Sequence, residues 1–206
     1  IPETYFYVSG VDYSMPSVMI QPGYVLVSMD YYLGNEDKMY DYIGMPRYRS
    51  LRCQPSYITR DIAQAFYDNY FAVPAPKKDV LSEMINVGKQ LYFIEAMNPA
   101  LPDSVLLGYS SRQTKWVSQY EGEVWASLVG NNMLYTNDIM TFRSLFGDAP
   151  FTQMFSNESP GRLGEFIGLQ IIRSYMTHNE ISLQDMLINN DVQQIFQNSQ
   201  YKPFRN

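Results

Sequence analysis

Asn157-Glu158-Ser159-Pro160-Gly161-Arg162-Leu163-Gly164-Glu165-Phe166-Ile167-Gly168-Leu169-Gln170-Ile171-Ile172-Arg173-Ser174-Tyr175-Met176 begins as turn chemistry and continues as a helix. Asn157 to Gly161 carries the breakers, and the apolar spacing that follows predicts a helix from Arg162 to Thr177. Gly164 and Gly168 stand four apart on one face, and each costs the helix about 1 kcal/mol relative to Ala. Close approach of a second helix backbone would offset that cost. The expected neighbour is a helix over Asp79 to Asn98, the longest clean helical pattern in the chain, with Leu81, Met84, Ile85, Leu91, Ile94 and Met97 offered to the core.

Outward from this pair, helical spacing covers most of the chain after Ser56. Ile62, Ala65, Phe66 and Tyr70 recur at helical intervals over Ile58 to Phe71, which ends before Pro74-Ala75-Pro76. Ser110 with Gln113 reads as a capping start for a helix to Gly130, with continuation to Tyr135. Asn137-Asp138 opens a helix to Phe146, Ser182 a small one, and Asp191 another to Asn198. The first 30 residues differ. Thr4 to Val8, Ser17 to Ile20 and Tyr24 to Met29 are rich in β-branched and aromatic residues; Ser9 to Asp12 reads as a turn, and Gln21-Pro22-Gly23 joins the last two strands as a hairpin. Asn35 to Pro55 shows no sustained period and is expected to be irregular. The fold class expected is α+β, mainly α-helical, with a small N-terminal sheet followed by a helical bundle, as one domain over residues 1–206.

Composition narrows the chemistry. A chain of 206 residues, 46% hydrophobic, can bury a real core. It has one histidine, His178, and one cysteine, Cys53. Zinc sites draw three or four ligands from His, Cys and carboxylate, and nucleophilic catalysis usually needs a histidine base, so neither set assembles easily. Cys53 reads as a buried thiol. His178 closes a helix, where its charge suits the dipole. Net charge of −6 with scattered Lys and Arg argues against nucleic acid. Eighteen tyrosines suit partly buried interface positions.

The stretch from Asn157 to Met176 resembles the C-terminal signature of the gliding-motility lipoprotein GldB family of Bacteroidetes, and Tyr201-Lys202-Pro203 resembles its ending. Asp30-Tyr31-Tyr32-Leu33-Gly34, Pro46-Arg47-Tyr48 and the run from Leu81 to Ser104 are further matching blocks, in order along nearly the whole chain. The resemblance implies a cell-envelope protein on the periplasmic side, held by a lipidated cysteine upstream of this sequence and meeting the membrane only through that anchor. It also implies a zincin-like scaffold. In zincins a helix carries His-Glu-x-x-His, two imidazoles holding zinc and the glutamate acting as base. Here the aligned helix reads Ser82-Glu83-Met84-Ile85-Asn86. Only Glu83 matches, so neither metal nor cofactor is expected.

Other candidates surround Glu83. Glu121 and Glu123 would complete an oxygen-rich cluster suited to a hard cation or to glycoside hydrolysis, yet at i and i+2 they lie on different helix faces. Arg162 or Arg173 would pair with Glu83 or Glu123 and take the place of a metal charge. The binding candidates are therefore Arg162, Arg173 and Glu123, with Glu83 the one catalytic candidate. The expected function is a non-enzymatic envelope protein that works through contacts with other envelope proteins, using exposed tyrosines and methionines. The alternative is a hydrolase built on Glu83 and nearby carboxylates. A third is a small-molecule or glycan binder with an aromatic pocket near Trp116 and Trp125.

Overall fold

A computed structural model describes residues 2–10 and 15–203, so the part of the expected turn at Val11-Asp12 lies outside the described residues. The chain gathers into two compact units. The first takes in the chain up to Ala72 with Ile94–Gly108; the second takes in Val73–Phe93 and the chain from Tyr109 on.

The first unit holds the sheet. Strands β1 (Glu3–Tyr7), β2 (Val18–Gln21) and β3 (Tyr24–Ser28) lie in the order β1-β3-β2. β2 and β3 form the expected hairpin, Gln21 opposite Tyr24, while β1 runs parallel to β3 with Glu3 opposite Tyr24. β3 is central because Val25 and Val27 alternate onto the buried face. They pack with Val18, Tyr32 and Tyr57, and Ile58, Ile62, Ala65 and Phe66 close over them from α3 (Ile58–Tyr70). Tyr70 departs from expectation: it is 64% exposed, in the helix's last turn.

The stretch from Asn35 to Pro55 is not irregular throughout. It forms α1 (Lys38–Tyr42) and α2 (Arg47–Ser50), each too short to show a period. Asp37 caps the first by accepting from Met39 N at 2.8 Å. Tyr40, Met45 and Cys53 form a small core there, which buries the thiol. Helix α5 (Asp103–Leu107) follows Pro102.

In the second unit, α4 (Val80–Met97) runs as far as Phe93 before its last turn joins the first unit. Leu81, Met84, Ile85, Leu91 and Ile94 are buried as expected; Met97 is 60% exposed. Helix α6 (Ser111–Gly130) starts with a full capping box between Ser110 and Gln113 and stops at Gly130; a separate 3-10 turn spans Met133–Tyr135. Then come α7 (Ile139–Phe146), α8 (Leu163–His178), α9 (Leu183–Ile188) and α10 (Val192–Ser199). Helix α8 is the central element, buried at nine positions.

Of the two glycines of α8, Gly168 meets the α4 backbone. A Cβ on Gly168 would overlap the Met84 carbonyl of α4, and one on Gly88 would overlap the Gly168 carbonyl. Gly164 instead faces the Phe146 ring of α7. The observed class is α+β, mainly helical, with a small N-terminal sheet.

Candidate functional site

The start of α4 is set by Asp79, which accepts from Ser82 N at 2.8 Å. That register turns Ser82 into the core, where its hydroxyl is buried without a hydrogen-bond partner among the described residues. Glu83 and Asn86, one turn apart, line a cavity of about 580 Å³. Lys77 and Lys78 approach it from the segment before α4; Asn137 and Arg143 approach it from the start and body of α7, with Ile139 and Phe142 between them. The three cations are exposed.

Glu83 is half-buried, and burial pushes its carboxyl above the ordinary range, with the charge of Glu165 adding to the effect. Glu165 lies in the first turn of α8 and is paired with Arg162 at 3.0 Å. Arg162 adopts a left-handed backbone (φ 57°), and its carbonyl and that of Gly161 accept from the buried Tyr109 hydroxyl at 3.3 and 3.1 Å. Burial raises the Tyr109 pKa, so it stays a donor. The turn that launches α8 is thus pinned by Tyr109, and this places Glu165 beside Glu83.

Arg173 lies two to three turns along α8 and contributes elsewhere. Its charge acts on Glu121, whose carboxyl is raised by burial and lowered by the Tyr201 hydrogen bond and by Arg173. Tyr201 donates to Glu121 at 2.8 Å, and its ring meets the edge of Trp125 at 5.1 Å. Trp125 also contacts Phe196, and Trp116 packs on Tyr120 at 4.9 Å. Glu123 is exposed, on another face from Glu121. Among the described residues no group of three His, Cys, Asp or Glu side chains is arranged to hold a metal ion. His178 stays with its own helix, Nδ1 lying 2.8 Å from the Ser174 carbonyl.

Two features had no sequence signal that stood out. Lys89 is 4% exposed and donates to the carbonyls of Leu187, at 3.4 Å, and Asn189. It caps the end of α9, and burial pushes its pKa down to about 8. Asp30, inside a block that resembles the family, is buried and accepts from Ser9 N at 3.1 Å and from the hydroxyls of Ser9 and Ser28. Tyr40 donates to the Asp30 carbonyl at 3.1 Å and accepts from Leu33 N at 3.0 Å. That block is a structural knot.

A small three-stranded sheet followed by helices, with the Asp30 knot and the pinned start of α8, defines a mainly helical α+β protein. The family model described as gliding motility protein GldB matches residues 1–203. The chain belongs to this family of gliding-motility lipoproteins. Neither a curated protein nor a solved structure matches it at a significant level. The zincin likeness therefore rests on the sequence resemblance alone. No helix among the described residues is long and apolar enough to cross a membrane.

Proposed function

We propose that this chain is a non-catalytic component of the cell envelope, held on the periplasmic side by a lipid anchor outside the sequence, and that it works through contacts with other envelope proteins. The observation that carries this is strand β1. It lies at the sheet edge and is exposed along most of its length, with Tyr5 51%, Phe6 54% and, just beyond it, Val8 71% exposed. An edge strand that shows aromatic side chains offers both backbone pairing and apolar area to a partner. Tyr42, 89% exposed, adds a second aromatic contact point in the same unit. The hydrolase alternative has less support: Glu83 is joined by Glu165, which Arg162 already engages, and not by Glu123.

A photo-crosslinker placed at Phe6 in cells tests the reading. A discrete protein adduct, lost when Tyr5 and Tyr42 are changed to Ala with the fold retained, is the expected result. No adduct at Phe6, in cells where a control adduct forms elsewhere on the protein, would count against it.

A further inference from the structure

The cavity beside Glu83 combines features that a surface hollow does not need. Its volume, about 580 Å³, lies within the range of small-ligand sites. Inside it, the Glu83 carboxylate accepts no hydrogen bond from a described residue. At its rim, Lys77, Lys78 and Arg143 have no acidic partner among the described residues. The chain carries 21 acidic residues against 15 Lys and Arg, so three cations around one cavity without an ion-pair partner among the described residues run against the overall balance. Nearby helix ends do not supply the positive character. Asp79 occupies Ser82 N, and Asp138 occupies Thr141 N at 2.7 Å. Ile139 and Phe142 add an apolar stretch to the wall.

We propose that this cavity binds a zwitterionic ligand of short-peptide size, its ammonium group meeting Glu83, its carboxylate meeting Lys77, Lys78 and Arg143, and an apolar side chain resting on Ile139 and Phe142. The opposite charges within one cavity match the opposite charges of such a ligand, and each end fails differently when blocked. A ligand anionic throughout would meet the cations but be repelled by Glu83; a cationic one would suffer the reverse. This inference does not depend on the docking surface at β1, which lies in the other unit.

The test uses the dipeptide leucyl-phenylalanine, its C-terminal amide and its N-acetyl form, titrated into the purified chain by calorimetry. The free dipeptide is expected to bind saturably at one site, and each blocked form to lose about tenfold or more in affinity. Glu83→Gln should abolish discrimination against the acetylated form. Changing Lys77, Lys78 and Arg143 together to Ala should abolish discrimination against the amide. All three cations are exposed and Gln is isosteric with Glu, so unchanged circular dichroism is expected in both variants. Equal affinity for the three probes, or no saturable binding by roughly 10 mM, would overturn the proposal.

Discussion

Gly88 of α4 and Gly168 of α8 meet backbone to backbone, each occupying the space where the other helix would otherwise confront a side chain. A Cβ on Gly88 would meet the Gly168 carbonyl, whereas one on Gly168 would meet the carbonyl of Met84, one turn before Gly88. A methyl on Gly168 has to displace the Met84 carbonyl, and main chain in the middle of a helix cannot swing aside as a flexible side chain can. Gly168→Ala should therefore destabilise the second unit by about 1–3 kcal/mol, even though alanine favours the helix by about 1 kcal/mol. Urea denaturation checks this. A neutral or stabilising result would mean that the two helices do not pack this closely.

Lys89 makes stability depend on alkaline pH. Its folded pKa, about 8, lies below the ordinary lysine value of 10.5, so burial disfavours the protonated form in the native state. Between those values the unfolded chain binds more protons, and stability from this group rises with pH, by at most about 1.4 kcal/mol per unit. Above pH 10 the buried Tyr32 and Tyr109 and the part-buried Tyr201, all raised by desolvation, begin to oppose the rise. Lys89→Met should remove the increase between about pH 8 and 10. Denaturation midpoints measured across that range in wild type and variant decide it.

The long helices were legible because their apolar spacing runs for several turns: α4 and α8 lie where the periodicity puts them, and Ser110 with Gln113 marks the start of α6. Short elements were not. Helices α1 and α2 span five and four residues, which leaves no period to read. β1 was recognisable as a strand, but propensity does not choose a partner, and its parallel pairing with β3 depends on the fold. Tyr70 and Met97 have the right spacing but lie at helix ends where most of each side chain stays exposed. The candidate site shows the same division. Glu83 could be picked from a short local pattern, whereas Lys77, Lys78 and Arg143 come together only once α7 lies beside the start of α4. Gly164 finds its neighbour in Phe146, a contact that helical periodicity alone does not identify.

Asp30 is expected to be essential to the fold of the first unit. Its carboxylate satisfies the Ser9 amide and the hydroxyls of Ser9 and Ser28, the last fully buried. Asp30→Ala removes the acceptor of the Ser9 amide and leaves the Ser9 and Ser28 hydroxyls, 2.8 Å apart, with only each other in that network, which costs on the order of 3 kcal/mol. Asp30→Asn keeps the size and one acceptor oxygen and should cost less. Thermal unfolding of the two variants, followed by circular dichroism, gives the ranking; equal stability of both with wild type would show that the network contributes nothing.

Tyr201 ties the chain after α10 to α6. Its hydroxyl donates to Glu121, and its ring seals against Trp125, so it contributes both a hydrogen bond and apolar burial. Tyr201→Phe keeps the ring and removes the donor, leaving a half-buried carboxylate with the charge of Arg173 still acting on it. The expected cost is about 1–3 kcal/mol, because the acceptor is charged. Without its donor, Glu121 loses an influence that lowers its pKa, so its folded pKa should rise in the variant. A carboxyl raised in the folded state is penalised once the pH exceeds its unfolded pKa; the deficit grows as pH rises towards the folded value and disappears in acid. The stability gap between Tyr201→Phe and wild type should therefore be widest near neutrality and narrow as the pH falls through the carboxylate range. Glu121→Gln in the same background should flatten that pH dependence. A gap independent of pH would show that the hydroxyl's contribution does not depend on Glu121.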